Sequence, residues 1–205
     1  MAVFIVDTRN QKDSFVVKSL LDRGHRVLRS KLPFGDVALS SNILNAIDLK
    51  SSGGGLLELA KNRFSSDRDR LRREIDLAIE YGGKLTFLCF EPRMHTLEDI
   101  AKWNVPRFKS DKWGCRYVDK KTGKIVSQTN AKKYKNGELE YKRVKIQSRG
   151  DTMTKVKPIS LMKSIMAMCA PNHYADGFTV GFAFATKTNC GRIIEEILLD
   201  NRDKM

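Results

Sequence analysis

A chain of 205 residues, 41% hydrophobic and 30% charged, carries enough apolar material for one core of ordinary size. Its formal net charge of +14 and pI of about 9.7 bear on partners rather than on fold, and favour an anionic polymer or an anionic membrane surface. No apolar run approaches the roughly 20 residues that a bilayer-crossing helix needs, and Met1 to Asp7 reads as a strand without the basic flank of a secretory leader. A membrane role is therefore disfavoured, and nucleic acid is the leading partner.

Taken in chain order, Val3 to Val6 reads as a buried strand ending in Asp7-Thr8-Arg9, and Phe15, Val16, Leu20 and Leu21 then recur at helical spacing up to Gly24. Arg26 to Lys31 reads as a second strand. Leu32 to Gly35 makes a turn, Asp36 opens a third strand through Leu39, Ser40 to Asn42 is a hairpin-like break, and Leu44 to Lys50 is a fourth strand. Leu56 to Ala60 suggests a short helix. Asp67 to Tyr81 is a longer one, with Leu71, Ile75, Ala78 and Ile79 on one face, closed by Gly82 and Gly83. Leu85 to Phe90 reads as a central strand, and Thr96 with Asp99 resembles a capping box opening a helix through Trp103.

From 106 to 157 the composition turns polar and lysine-rich, which reads as an insertion built on a β-ribbon with strands at Tyr117-Val118 and Tyr141 to Ile146. A helix near Ile159–Cys169, a strand near Phe178–Ala185 and a helix near Cys190–Leu199 follow; Met162, Ile165, Met166 and Met168 are read as core packing. No internal repeat is visible. The order predicts one α/β domain over 1–205, with a mixed central sheet flanked by helices and a basic insertion inside it.

The chemistry centres on Asp48-Leu49-Lys50. Strand side chains alternate, so Asp48 and Lys50 share a face while Leu49 points into the opposite layer. Asp36 starts the preceding strand, across a hairpin, and pairing of the two strands brings both carboxylates within reach of one cation. Carboxylate oxygens hold hard ions such as Mg²⁺ or Mn²⁺, which polarise a phosphoryl group and lower the pKa of a bound water. A lysine alongside can orient that water or offset developing charge. The plainer reading makes Asp48 and Lys50 the wet face of an amphipathic strand. Cys89, Cys115, Cys169 and Cys190 are too scattered for zinc, as are His25, His95 and His173, so reduced thiols in an intracellular protein are expected.

Val6-Asp7-Thr8-Arg9, Gly35-Asp36, Asp48-Leu49-Lys50 and Glu58-Leu59 together resemble the motifs of the XPF-type structure-specific nuclease domain. That family has Val-Asp-x-Arg ending a strand, Gly-Asp opening another, then Glu-Arg-Lys and an Asp-Leu pair. The stretch Leu56 to Asn62, the arginine-rich segment Asp67 to Glu74 and the pattern Trp103 to Arg107 are similar to small stand-alone versions found in bacteriophages. The resemblance covers roughly residues 3–107 and returns more loosely over about 158–199. It implies a restriction-endonuclease-like core, a divalent metal and branched or flapped DNA as substrate. Asp36 and Asp48 become metal ligands, Lys50 stands beside the attacking water, Asp7 is a further acidic member, and Glu58 stands where the family has its last Asp. Three departures stand out: Leu49 replaces the arginine, Asp48 replaces the longer glutamate, and Ser51 to Gly55 lengthen the path to Glu58.

Candidate phosphate contacts are Arg9, the helix residues Arg68, Arg72 and Arg73, and Lys120, Lys121, Lys132 and Lys133 of the insertion, where interleaved aromatics suit single strands. A solvated helix face and a polar excursion are the plainer readings of these same residues. Gly53 to Gly55 read as a connector in preference to a phosphate cradle. The leading function is a Mg²⁺- or Mn²⁺-dependent DNA endonuclease; a non-catalytic DNA-binding module of the same fold is second, and an RNA-binding protein third. Larger relatives pair through a helix-hairpin-helix module not evident here, so a homodimer stays open. A bacteriophage origin implies the cytoplasm of a bacterial host.

Overall fold

The computed structural model describes residues 1–10, 13–51, 55–64, 68–103, 108–109, 113–126, 139–145, 153–154, 156–171, 173–174 and 178–199. They form two compact units, Met1–Pro106 with Lys155–Met205, and Arg107–Thr154. The first unit is built on six strands: β1 (Val3–Asp7), β2 (Arg26–Ser30), β3 (Val37–Leu39), β4 (Asn42–Lys50), β5 (Lys84–Phe90) and, late in the chain, β11 (Val180–Ala185). Their spatial order is β11-β5-β4-β3-β1-β2, with β3 antiparallel to both neighbours and the other pairs parallel. This is the expected mixed sheet. β3 therefore starts beside the points where β1 and β4 end. That arrangement sets up the site.

Alternation along the strands sorts the side chains into two layers. Phe4, Val6, Val37, Leu39, Ile47 and Leu49 face one side, where they join one buried cluster with Val16 and Leu20 of helix α1 (Ser14–Asp22) and Ile194 and Leu198 of the last helix, α5 (Cys190–Leu199). Helix α5 is also tied to the loop before β2, because Glu195 accepts hydrogen bonds from Arg23 and His25. Asp7, Asp36, Asp48 and Lys50 alternate with the clustered residues and so fall on the opposite face. There α2 (Gly55–Phe64) and α3 (Arg68–Glu80) lie against β4 and β5. The apolar stripe of α3 is the one expected, with Leu71, Ile75 and Ala78 buried.

Several boundaries differ from the sequence reading. β4 begins at Asn42 because the hairpin turn is confined to Ser40 and Ser41, and a bulge between Ala38 and Leu39 absorbs the offset. Helix α2 runs four residues past Ala60, to Phe64, and the polar Asn62 on it is buried. Thr96–Trp103 contains a 3₁₀ helix, Glu98–Lys102, in place of an α-helix. The Asp99 carboxylate folds back onto the N–H groups of His95 and Thr96, both at 3.0 Å, and leaves Leu97 at the cap position. On α4 (Pro158–Cys169) the buried stripe is Leu161, Ile165 and Met168, and Met166 is 43% exposed because it falls off that stripe. No helix among the described residues is long and apolar enough to cross a membrane.

The second unit pairs β6 (Phe108–Lys109) with β10 (Met153–Thr154), and β7 (Trp113–Asp119) with β8 (Ile125–Val126) and β9 (Leu139–Lys145), all antiparallel. Tyr117 stands opposite Tyr141, so β7 and β9 form a ribbon. Lys120 and Lys121 are exposed in the β7–β8 turn, where Asp119 accepts from the Lys121 N–H at 2.8 Å. Ile146, Lys132 and Lys133 lie outside the described residues.

Candidate active site

Three strand termini bring the carboxylates together. The Asp7 N–H donates to the Asp36 carbonyl at 2.8 Å, and the Asp36 N–H donates to the Ile47 carbonyl at 2.7 Å, so the start of β3 is clamped between the ends of β1 and β4. Gly35 makes the approach feasible. Its φ of +70° is in the left-handed region, and a Cβ there would lie 2.9 Å from that of Ala46.

The Asp36 carboxylate accepts from the Leu49 N–H at 2.8 Å and from the Asn10 side chain. Burial and the neighbouring charge of Asp48 outweigh these bonds and the Lys50 charge, and push the Asp36 carboxyl up to about 7. Asp48 and Lys50 are buried at 6% and 3% exposure, which removes the wet-strand reading. The Lys50 ammonium donates to both Asp48 oxygens, at 2.7 and 2.9 Å, and lies 5.2 Å from the Phe87 ring centre. Burial works against the ammonium, but the charge and hydrogen bonds of Asp48, with help from Glu58 and Asp36, hold its pKa above the ordinary lysine value. These neighbours hold Lys50 as a cation.

Glu58 reaches the site from α2, where it accepts from the Ser51 N–H at 3.1 Å. The first turn of α2 is pressed against the strand ends, with the Leu56 N–H donating to Glu91 at 3.1 Å. Gly55 is there for lack of a Cβ: one would sit 2.6 Å from the Phe90 nitrogen and overlap the Lys50 carbonyl. The glycine is a packing requirement, and Gly53 and Gly54 lie outside the described residues. Gly55→Ala is expected to cost about 2 kcal/mol by overpacking against backbone, read as a lower midpoint in urea denaturation.

Asp36, Asp48 and Glu58 open into a cleft of about 760 Å³, with Arg9, Arg70 and Arg73 among its other walls. Asp7 also borders it, but its carboxylate is taken up by Arg9 and the Leu32 N–H, and these bonds outweigh burial to hold its pKa below the ordinary value. Of the arginines expected on α3, Arg73 reaches the cleft. Arg72 does not; it is exposed and paired with Asp76 at 3.6 Å. The Arg68 side chain lies outside what is described. The sequence reading missed Arg70, Glu74 and Asn10. Glu74 accepts from the Gly35 N–H at 3.3 Å and anchors α3 to the turn carrying Asp36. A helical wheel centred on Leu71 and Ile75 puts Arg70 and Glu74 on one flank and Arg72 with Asp76 on the other, with Arg73 opposite the apolar stripe. The available signal therefore separates Arg70 from Arg72 and does not assign Arg73 to either flank.

Among the described residues no three His, Cys, Asp or Glu side chains form a ready cage for a cation. Two carboxylates nonetheless suit a hard ion that keeps waters and takes phosphate oxygens for its remaining positions. Burial first and the Asp48 charge second raise the Asp36 carboxyl, so the two carboxylates stand close enough to feel each other's charge.

No family model matches the chain, and no curated protein matches it. Among solved structures the chain is similar to XPF from Aeropyrum pernix, with a TM-score of 0.51 and 16% sequence identity. The likeness covers 98% of this chain and 65% of that one. It is a likeness of fold, and with the six-stranded mixed sheet it fits the restriction-endonuclease-like core.

Proposed function

We propose that the chain is a divalent-metal-dependent DNA endonuclease acting on branched or flapped DNA. The observation that carries this reading is the convergence of Asp36 and Asp48 in one cleft, with Lys50 bonded to Asp48 beneath them. The fold shared with XPF from Aeropyrum pernix and the motif resemblance at Asp7, Asp36, Asp48, Lys50 and Glu58 support it. Asp36 and Asp48 would hold Mg²⁺ or Mn²⁺, with Glu58 the next carboxylate along. The bound cation supplies Lewis acidity and activates water at neutral pH.

The chain's own residues do the rest. Lys50 keeps its proton and places a fixed positive charge against Asp48, whose carboxylate borders the cleft in which negative charge would build on the phosphoryl and leaving oxygens. The enclosing walls of Leu49, Asn10 and α2 limit solvent around Asp36, which strengthens every charge interaction there. The phosphodiester is opened directly by water: one P–O bond forms, one ester P–O bond breaks, the proton shed by the water goes to solvent and the leaving oxygen takes one up from it, and no covalent enzyme intermediate is required. The excess of basic residues supplies affinity for the substrate backbone, with Lys120, Lys121, Lys132 and Lys133 as candidate contacts. On the resemblance to bacteriophage versions, the reaction takes place in the cytoplasm of a bacterial host.

The test is cleavage of flap, fork and linear DNA by the wild type and by Asp48→Ala, with Mg²⁺ and with EDTA. The wild type is expected to cut in Mg²⁺ alone and to prefer a branched substrate, and Asp48→Ala to bind DNA without cutting it. Equal binding by both proteins with no cutting by either would leave a DNA-binding module of this fold. Preference for RNA in competition would leave an RNA-binding protein.

A further inference from the structure

One acidic residue of the cleft, Asp7, is differently placed from Asp36, Asp48 and Glu58. Asp7 is 1% exposed, and four donors take up its two oxygens. Oδ1 accepts from the Arg9 backbone N–H at 2.7 Å and from Arg9 Nε at 2.8 Å; Oδ2 accepts from Arg9 Nη2 at 2.7 Å and from the Leu32 N–H at 2.8 Å. A carboxylate offers about four lone-pair sites. All are in use, so nothing is left for a cation.

The same bonds hold Arg9. Its Nη2 also donates to the Leu32 carbonyl at 2.9 Å, which fixes one edge of the guanidinium plane. The side chain is 53% exposed at the cleft wall, and among the described residues Nη1 has no acceptor. A guanidinium held in this way offers two N–H donors to an anion with little further loss of conformational freedom. Lining the same cleft, Arg70 and Arg73 stand one turn apart on α3, both exposed and both without a carboxylate partner among the described residues. Glu74, adjacent to Arg73 and four residues from Arg70, is engaged by the Gly35 N–H.

The floor of this cleft is acidic, and a DNA strand is a polyanion. A strand can lie across Asp36, Asp48 and Glu58 only if cations at the rim hold its phosphates against that repulsion. We propose that Asp7 is a positioning residue that aims Arg9, and that Arg9, Arg70 and Arg73 form the seat for the phosphates on either side of the bond being cut. The inference deepens the nuclease reading and rests on it for the position of the cut.

Two measurements test it, DNA binding against salt concentration without divalent metal, and cleavage against DNA and Mg²⁺ concentration. Arg70→Ala and Arg73→Ala, both at exposed positions, are each expected to raise KM several-fold and to flatten the log–log salt dependence of binding by about one unit. Arg192→Ala on α5 changes neither. Asp7→Asn is expected to follow the arginine variants: weaker DNA binding, a raised KM, and an unchanged half-saturating Mg²⁺ concentration. The double variant Asp7→Asn/Arg9→Gln leaves no unpaired charge behind and should match Asp7→Asn. If Asp7→Asn shifts the Mg²⁺ requirement while DNA binding stays intact, Asp7 is a metal ligand and the proposal fails. Unchanged salt slopes in the Arg70 and Arg73 variants would also overturn it. Absence of cleavage by the wild type would sink the nuclease reading, and the salt slopes would still decide whether the arginines seat phosphates.

Discussion

Replacing Asp36 with asparagine is expected to make the protein harder to unfold at pH 8 while abolishing its cutting of DNA. The folded protein holds the Asp36 proton more tightly than the unfolded chain does, with a pKa of about 7 against an ordinary value of 3.8. The folded state therefore binds more protons between these values, and stability falls as pH rises through that window. The loss attributable to this one group is complete above about pH 7. Its full size is on the order of 3 kcal/mol, allowing for partial exposure to solvent. Asparagine keeps the shape and the hydrogen bonding but cannot ionise. The gap between Asp36→Asn and the wild type should thus be small near pH 4 and widest at pH 8 in urea titrations. The opposite acid limb, set by Asp7 and Glu195 whose pKa values are lowered, is present in both proteins and cancels in the comparison. Adding Mg²⁺ at pH 8 should narrow the gap, because it stabilises only the protein that retains both carboxylates.

Lys50→Met is expected to produce the largest loss of stability of any single change at the site. Methionine keeps much of the stem's volume over Phe87, so the loss isolates the charge. Without the ammonium, the Asp48 carboxylate is buried with its main cation gone and Asp36 nearby. Breaking a buried ion pair by removing one partner costs about 3–5 kcal/mol. Mg²⁺ should restore part of that stability, since the ion substitutes for the missing charge. Cleavage should not return with it: a fixed donor near developing negative charge is worth roughly 100-fold or more in rate. Single-turnover cleavage beside urea midpoints, each with and without Mg²⁺, separates the two effects. Full cleavage by a folded Lys50→Met protein would remove Lys50 from the mechanism.

The strand residues of the site were legible because a two-residue period leaves little freedom. Once Leu49 is assigned to the core, Asp48 and Lys50 must share the other face, and a hairpin as short as Ser40-Ser41 must return Asp36 to their edge. Helix α3 was harder to place. Its period shows that Arg70 and Glu74 share a flank, but which flank meets the cleft depends on how α3 lies against β5. Asp7 illustrates another limit. Its partner stands only two residues away at Arg9, yet the backbone bend that closes four bonds onto one carboxylate depends also on Leu32, 25 residues on. The raised pKa of Asp36 depends on burial and on a second carboxylate at Asp48, neither of which shows in the local pattern Gly35-Asp36. The role of Gly55 was hidden for a similar reason, since its constraint is the distant Phe90 backbone.

At the centre of the account is a cation held between Asp36 and Asp48. Titration of Mn²⁺ followed by electron paramagnetic resonance at pH 8 measures this directly, because bound and free ion give different signals. The wild type should bind Mn²⁺ at one saturable site, Mg²⁺ should displace it, and both Asp36→Asn and Asp48→Asn should lose that site while remaining folded. Wild-type binding that persists undiminished in both variants would contradict the account, and so would a wild type that cuts DNA at full rate in EDTA.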